Sequence, residues 1–429
     1  MNLEPYRGMN EAFLYYIWEH KLFLTSELRT TDGEEISVID IGRRNRDAGP
    51  DFFNAKIKIG HTVWAGNVEM HLRASDWYRH GHDKDKNYDN VILHVVLSAD
   101  KPVVRSDGQI VKQCLLHYPK QLEEHYDELM KSDKPVRCAE KLNEIPLFLI
   151  NSWKDSLLVE RLEEKSGYIE KLLQANKRNW EEAFYVTLAR NFGFHTNSMA
   201  FELMALSLPL SCICKHRNNL KQVEALLFGQ ANLLCGEQDD YAQELSKEYA
   251  FLASKFDLKP IKDGLWKNHR LRPSNSPYIR IAQFAALLHY SQRLFSQLLE
   301  CGHVKEMFGL FETKPSEYWK THYSFGKASD VHTKCVGKNS LRLIIMNTVI
   351  PFIFYYGKCH SNEAMMDKAV AFFRELPAED NHIIKQWKQV GLAADNAGDS
   401  QALLQLWHHY CESRNCLKCR IGHKMLVVR

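Results

Sequence analysis

The apolar positions of the first 125 residues change from a helical period to an alternating one. Over residues 9–24 they recur every third or fourth position, which predicts an amphipathic helix. Alternation then predicts a meander of three strands, within 36–41, 51–60 and 62–71. Residues 89–99 are almost continuously apolar, which is typical of a central strand buried on both faces. We therefore expect residues 1–125 to form an α/β domain with a helix, three strands, a crossover and a buried strand.

The longer second part of the chain keeps a helical period from about residue 145 onward. The period recurs in the segments 180–205, 219–234, 240–256, 278–300, 339–356, 362–375 and 400–410. None of this region alternates in a way that predicts a strand. The pattern indicates a larger all-α domain over residues 145–400, followed by a cysteine-rich tail over residues 401–429.

Composition and charge restrict the class of protein. The chain is 45% hydrophobic and 25% charged, as globular proteins are, and its net charge of +3 means that nucleic acid would need a local basic patch. The longest apolar run, 343–357, is short and contains Asn347 and Pro351, so we expect a buried helix and no membrane partner. The first residues lack a signal-peptide pattern and the 11 cysteines are scattered, which predicts a cytoplasmic protein with mostly free thiols.

Two carboxylates stand on the predicted hairpin, Asp51 at the start of one strand and Glu69 near the end of the next. Paired carboxylates are typical ligands of Mg²⁺ or Mn²⁺, which lower the pKa of an attacking water. A tight turn would place Asp51 opposite Met70, with Glu69 on the other face. One irregularity, for which Gly66 is a natural position, would bring the acids onto one face. The plain alternative is that Asp51 is a turn residue and that Glu69 lies on the solvent face of an edge strand.

Histidines and basic residues accompany the acids. His80 and His82 form an H-x-H pair, a frequent ligand set for transition metals, although an exposed loop is an equally simple interpretation. His94, inside the apolar strand, is more often a structural core residue. Guanidinium groups suit phosphate contacts and aromatic rings suit stacking on bases. The candidate substrate-binding residues are Arg43, Arg44, Arg73, Trp77, His80 and His82.

The motifs "GPD" and "VEMH", placed on helix, three strands, crossover and strand, resemble the restriction-endonuclease-like PD-(D/E)XK nuclease superfamily. The resemblance covers about the first 120 residues and implies a mixed sheet and divalent-metal-dependent cleavage of nucleic acid. It assigns Asp51 and Glu69 to the metal as catalytic residues, and Glu19 to the helical acid that assists them.

One position departs from that pattern. His71 stands where the superfamily has the lysine that positions water, and Lys56 or Lys58 on the preceding strand is the candidate for the missing ammonium. Two further hypotheses follow. One is a catalytically degenerate nuclease-like protein that binds nucleic acid or acts as a scaffold. The other is a different metallohydrolase, in which His71, His80 and His82 join a carboxylate on zinc or manganese.

Most of the chain also resembles an uncharacterised bacterial family of unknown function. The features that carry this resemblance are "GPDFFNAKIKI", "YDNVILHVV" and the terminal spacing "C....C..C..G". It implies no activity, and neither it nor the composition indicates an oligomeric state.

The tail brings Cys411, Cys416 and Cys419 close together. Cys-x-x-Cys spacing lets two thiolates bind one metal with little strain, which favours a zinc site. The candidates for a fourth ligand are His423, Cys335 and Cys359. The pattern, although not its spacing, also resembles the terminal iron–sulfur cluster of some helicase-associated nucleases of the same superfamily, held by one distant and three clustered cysteines. Three reduced thiols are the plain alternative.

Overall fold

The computed structural model of the chain describes residues 10–235, 239–268 and 270–427. The chain divides into two units, one formed by residues up to Ile150 together with those from His408 onward, and one formed by Asn151–Trp407. Residues 408–429 of the cysteine-rich tail, which we expected to be separate, thus belong to the N-terminal unit. Residues 126–150, beyond the expected boundary of the first domain, belong to it as well.

The first helix, α1 (Glu11–Glu19), begins at a capping side chain, because Oδ1 of Asn10 accepts a hydrogen bond from the backbone N–H of Phe13 at 3.2 Å. The expected first residue, Met9, lies outside the described residues. The helix ends at Glu19 rather than at residue 24. Its apolar face buries Phe13, Leu14, Ile17 and Trp18 completely. Each such burial contributes about 1.5–3 kcal/mol, so this face fixes the helix on the core.

A mixed sheet forms the centre of the N-terminal unit, which confirms the expected α/β class of this region. Its strands are β1 (Ile36–Asp40), β2 (Arg43–Arg44), β3 (Phe52–Ile59), β4 (Thr62–Arg73), β5 (Val91–Ser98) and β6 (Gln113–Leu115). The order across the sheet is β1-β3-β4-β5-β6, and β2 pairs with β3. The pairs from β1 to β4 are antiparallel, whereas β5 runs parallel to both β4 and β6. The short helix α2 (Asp76–Arg79) lies in the crossover between β4 and β5.

The hairpin of β3 and β4 contains the irregularity that a shared face requires, but at a different residue from the one expected. Pairing runs regularly from the turn to Ala55 opposite Gly66, and then shifts so that Phe52 lies opposite Val68. The extra residue is on β3, where Asn54 has a φ of 57° and its N–H donates to the Asn67 side chain at 3.2 Å. Gly66 instead allows β5 to approach β4 closely, because a Cβ at this position would lie 2.4 Å from Ile92 Cγ2.

Strand β5 is buried on both faces, as its composition predicts. On one face Leu93 and Val95 pack into the apolar cluster beneath α1 and the helix α3 (Lys120–Lys131), where the rings of Phe13 and Tyr126 stack with centroids 4.2 Å apart. On the other face Val96 packs in a smaller cluster built around Trp77. The strand that carries His94 is therefore rigidly held, which matters for the site below.

The second unit is helical, as expected. Its helices are α4 (Leu147–Ala175), α5 (Trp180–Phe192), α6 (Ser198–Ser207), α7 (Leu210–His216), α8 (Leu220–Gln230), α9 (Asp240–Phe256), α10 (Pro277–Tyr290), α11 (Leu294–Glu300), α12 (Val304–Leu310), α13 (Lys338–Ile344), α14 (Ile350–Cys359), α15 (Glu363–Glu375), α16 (His382–Gln389) and α17 (Ala397–Leu406). A short hairpin of β7 (His322–Ser324) and β8 (Lys327–Ala328) was not expected from the sequence. After the chain returns to the N-terminal unit, it ends in α18 (Arg420–Leu426).

The apolar run at 343–357 lies in a helix, as predicted. Helices α13 and α14 continue into each other through a π-helical turn at Ile345–Val349, which gives one helical segment over Lys338–Cys359. By length and composition this segment could cross a membrane, and the bent pair of α6 and α7 passes the same criterion if counted as one span. The most apolar window of Lys338–Cys359 is 72% buried within the protein, as a core helix would be.

Candidate metal centre

The two acids predicted from the hairpin lie side by side. The backbone N–H of Asp51 donates to Glu69 Oε2 at 3.1 Å, and the N–H of Met70 donates to Asp51 Oδ2 at 2.9 Å. Burial and the neighbouring Glu69 charge raise the pKa of Asp51 to about 7, and burial raises the pKa of Glu69 to about 8. Two neighbouring desolvated carboxyl groups are costly as anions unless a cation accompanies them, so the pair is suited to a metal ion.

Four histidines continue this cluster. Glu69 Oε1 lies 3.2 Å from His82 Nε2 and 3.6 Å from His71 Nε2. His71 Nε2 also lies 3.1 Å from His80 Nδ1, and its Nδ1 lies 2.8 Å from His94 Nε2. The ligand nitrogens of His71, His80 and His82 all lie within 4.8 Å of one another. Carboxylate oxygens and imidazole nitrogens thus converge from β4, β5 and the crossover.

The crossover conformation explains how both members of the H-x-H pair face the same point. His80 follows the last residue of α2, and Gly81 then adopts a φ of 76°, a left-handed conformation that glycine tolerates best. The chain reverses there, so His82 turns inward and its ring stacks on Tyr88 with centroids 3.8 Å apart. His82 is buried, whereas His80 is exposed at the edge of the cluster.

Burial favours the neutral form of these histidines, which is the form of imidazole that can act as a metal ligand. Burial lowers the pKa of His71 to about 2 and that of His94 to about 3, and burial also lowers the pKa of His82. Nε2 of His82 is buried and makes no hydrogen bond, although Glu69 Oε1 is only 3.2 Å away. A buried nitrogen without a hydrogen-bond partner is unusual, and a cation bound by both His82 Nε2 and Glu69 Oε1 would satisfy it.

Helix α1 supplies an acid to this region, but the residue is Glu11 and not the predicted Glu19. The Glu11 charge contributes to the raised pKa of both Asp51 and Glu69, and Glu11 Oε2 accepts a hydrogen bond from the Tyr15 hydroxyl at 3.4 Å. Glu19 is exposed and pairs with Arg44 at 3.7 Å. The helical spacing of Glu11 and Tyr15, four positions apart on one face, was the sequence signal for this role.

An arginine-lined groove of about 870 Å³ lies along β2, β3 and β4, and its lining includes Arg43, Arg44 and Arg46. The segment that follows β2 in this groove is hydrogen-bonded to the residue that carries one of the acids, because the N–H of Asn45 donates to the Asp51 carbonyl at 2.7 Å. The Arg44 guanidinium also lies over the Tyr15 ring, 4.3 Å from its centroid. The three arginines form a local basic patch, which a chain of low net charge would need in order to bind a polyanion.

Other predicted site residues lie elsewhere. Lys58 is exposed and pairs with Val63, six positions before Glu69 on β4, so the structure does not bring it to the cluster. Trp77 is fully buried and its Nε1 donates to the Val104 carbonyl at 2.9 Å, so the prediction that it stacks on bases was wrong. Arg73 is exposed at the end of β4.

In the tail, one ring nitrogen of His423 is engaged by helix α1. Its Nδ1 lies 2.7 Å from the Tyr16 hydroxyl, and its ring centroid lies 4.6 Å from that of His20. The other two candidates for a fourth ligand, Cys335 and Cys359, belong to the helical unit. All eleven cysteines are free of disulfide bonds, as expected from their scatter.

Comparison with known proteins gives a family without an assigned activity. No curated protein and no solved structure matches the chain. The family described as "Protein of unknown function (DUF2851)" matches residues 11–382, a range that includes the whole acid and histidine cluster. Because the match covers most of the chain and both units, the protein belongs to the DUF2851 family.

Proposed function

We propose that the N-terminal unit is a divalent-metal-dependent phosphodiesterase that cleaves nucleic acid. The observation that carries this proposal is the convergence of Asp51, Glu69 and three histidines, together with the arginine-lined groove. The strand arrangement supports it, because antiparallel strands carry the acids and a parallel strand follows the crossover, as the PD-(D/E)XK resemblance implies. The groove arginines suit a phosphate backbone.

The donor set favours Mn²⁺ over Mg²⁺. Magnesium prefers oxygen ligands and retains water, whereas a first-row transition ion such as Mn²⁺ shares the preference for carboxylates and accepts imidazole nitrogens beside them. Glu69 and His82 are the residues that would hold the ion, with Asp51 and His71 completing the set. His94 fixes the ring of His71 through the 2.8 Å nitrogen–nitrogen contact, as partners of metal-bound histidines commonly do.

Different residues of the chain have different roles in the proposed hydrolysis. A bound divalent ion supplies Lewis acidity and lowers the pKa of its water. His80 lies at the exposed edge of the cluster and can accept the proton of that water, in place of the lysine of the nuclease pattern. Arg43 and Arg46 are exposed in the groove and can hold the phosphates on either side of the bond to be cleaved.

Two observations favour other functions for the same site. His71 occupies the position of the nuclease lysine but is only 1% exposed and is engaged by two histidines, which favours a protein that binds nucleic acid without cleaving it. The close grouping of His71, His80 and His82 suits zinc, which favours a metallohydrolase of another substrate class.

The test is cleavage by the full chain of labelled single-stranded DNA, duplex DNA and RNA, each with Mn²⁺, Mg²⁺ or Zn²⁺. We expect Mn²⁺-dependent cleavage that Asp51→Asn and Glu69→Gln abolish. Glu35→Gln, an exposed acid immediately before β1, is the matched control and should retain full activity. Circular dichroism checks that each variant is folded.

The other outcomes separate the hypotheses. Binding of nucleic acid without cleavage in any metal would replace the nuclease with the degenerate binding protein. Zinc that co-purifies at this site, with no effect on nucleic acid, would favour the metallohydrolase. Unchanged cleavage by Asp51→Asn would overturn the assignment of the site.

A further inference from the structure

A second cavity of the N-terminal unit, of about 630 Å³, is lined by four parts of the chain. These are α1 with its flanking residues, the segment of Arg44 and Arg46, helix α3 through Tyr126 and Met130, and residues 414–423 near the C-terminus. We call this cavity the tail pocket. Its volume lies in the range of about 300–1,000 Å³ that is typical of sites for small organic ligands. None of its described lining residues belongs to the acid and histidine cluster.

The lining of the tail pocket is strongly basic. Among the described residues it contains one acid, Glu19, and five cationic side chains, namely Arg44, Arg46, Arg414, Lys418 and Arg420. The acid is already paired, because Glu19 Oε2 lies 3.7 Å from the Arg44 guanidinium. The other four cations thus exceed the acidic charge of the lining. Their combined field favours a ligand with more than one negative charge.

The turn that carries the C-terminal cations is well ordered by hydrogen bonds. Arg414 adopts a left-handed conformation with a φ of 54°, and its N–H donates to the Cys411 carbonyl at 3.2 Å. The N–H of Lys418 donates to the Asn415 carbonyl at 3.0 Å, and Leu417 between them packs on the apolar core. Because the backbone is already fixed, a ligand would not have to order this segment on binding.

Aromatic rings form another part of the wall. The Tyr16 hydroxyl lies 2.7 Å from His423 Nδ1, so Nε2 is the ring nitrogen of His423 that remains for a ligand. The ring centroids of His20 and His423 are 4.6 Å apart, and both rings line the tail pocket. Imidazole N–H groups can donate to phosphate oxygens, and aromatic rings suit the base of a nucleotide.

Two arginines connect the tail pocket to the arginine-lined groove. Arg44 and Arg46 line both cavities, so the basic surface is continuous from one to the other. The groove is lined along β2, β3 and β4, whereas four separate segments surround the tail pocket. The first arrangement suits an extended backbone, and the second suits a group at which a ligand ends. A terminal phosphate carries about −1.5 to −2 charges at pH 7, more than the single charge of a phosphodiester.

We propose that the tail pocket binds the terminal phosphate of a nucleic acid strand whose backbone lies in the arginine-lined groove. Arg414 and Lys418 neutralise the phosphate, and His423 donates to one of its oxygens. This inference rests on the proposed function, because it requires nucleic acid in the groove, and it narrows the substrate class to strands with a phosphorylated end.

The experiment compares the binding of single-stranded DNA and RNA that carry a 5′-phosphate, a 3′-phosphate or a hydroxyl at both ends. Fluorescence anisotropy with an internal label is measured on the full chain in EDTA, so that the readout does not need cleavage. We expect one phosphorylated end to bind at least about tenfold more tightly than the hydroxyl-ended strand. Arg414→Ala with Lys418→Ala should abolish this preference and keep most of the affinity for the hydroxyl-ended strand.

Arg29→Ala with Lys120→Ala is the matched control, because both cations are exposed and lie outside the lining of either cavity. It should keep the full preference. Equal affinity for phosphorylated and hydroxyl ends would overturn the proposal, as would a preference that persists in Arg414→Ala with Lys418→Ala. Circular dichroism checks that both double variants are folded.

Two further outcomes separate this proposal from the proposed function. A preference for a phosphorylated end, without cleavage in any metal, would support the tail pocket and refute the nuclease. Metal-dependent cleavage without any preference would refute the tail pocket and leave the nuclease. Displacement of the phosphorylated strand by a free mononucleotide as readily as by unlabelled strand would overturn the assignment to strand ends, because the ligand would then be the nucleotide itself.

Discussion

The backbone N–H of Asp51 donates to the Glu69 carboxylate at 3.1 Å. This hydrogen bond holds the side chain of one acid of the candidate metal centre against the main chain of the other. This contact exists because the extra residue at Asn54 shifts the hairpin register by one position. Without the bulge, alternation would place the acids on opposite faces. The pair is therefore present before any ion binds, and substitutions there should affect metal binding more than folding.

Replacing Glu69 with glutamine should remove the ion and leave the fold. The amide has the same shape and its oxygen can still accept from Asp51, and burial already raises the pKa of Glu69 to about 8. In the wild type, Mn²⁺ at a hundred times its dissociation constant should stabilise the folded state by about 2.7 kcal/mol. Thermal unfolding with and without Mn²⁺ measures this. The same metal-induced rise in Tm in Glu69→Gln would contradict the site.

His94 should act as a positioning residue. Its Nε2 lies 2.8 Å from His71 Nδ1, and such partners fix the tautomer and orientation of a ligand ring. We expect His94→Phe to weaken Mn²⁺ affinity by about 10- to 100-fold, as measured by chelator competition. His61→Phe, at an exposed turn of the same hairpin, is the control. Equal affinity in both variants would mean that His94 is only a core residue.

Sequence periodicity predicted the elements that long apolar patterns specify. The alternating strands, the doubly buried β5 and the helical second unit were all anticipated because burial of one or two faces imposes those patterns. The prediction that the two acids share a face depended on one irregularity in the hairpin. The position of that irregularity was not predictable, because any residue of either strand can be the extra one. It is at Asn54, and Gly66 instead allows close approach of β5.

Residues defined by tertiary packing were missed or misassigned. Glu11 comes near the acid pair only because helix α1 packs on strand β4 of the sheet. Trp77 was predicted to stack on bases, but an aromatic side chain on a short crossover helix can equally fill the core, and here it does. Local spacing gives no information about such choices.

The stability of the helical unit should depend on pH through Glu224. This fully buried carboxyl accepts hydrogen bonds from Trp319 Nε1 and Ser316 Oγ, both at 3.2 Å, and from the Tyr241 hydroxyl. Burial raises its pKa to about 7 from 4.5, so the folded state binds the proton more tightly than the unfolded chain. The resulting stabilisation is fully present below pH 4.5 and is lost as pH rises through 7.

Glu224→Gln removes that dependence. The raised pKa of Glu224 predicts that the free energy of unfolding of the wild type falls by about 3 kcal/mol between pH 4.5 and 8, relative to that of the variant. Urea unfolding of both proteins across this range measures the difference. Parallel stability curves for the two proteins would show that Glu224 does not carry a raised pKa.

The arginine-lined groove should bind nucleic acid through phosphates and not through bases. Removing one arginine–phosphate interaction reduces the slope of log affinity against log salt by about 1, so Arg43→Glu with Arg46→Glu should reduce it by about 2 and weaken all sequences alike. Manganese affinity should stay unchanged, because neither side chain belongs to the acid and histidine cluster. Arg29→Glu with Arg374→Glu makes the same two charge changes at exposed residues outside the groove lining and is the matched control. Fluorescence anisotropy over a salt series gives both slopes, and equal slopes for the two variants would show that nucleic acid, if bound, lies elsewhere on the protein.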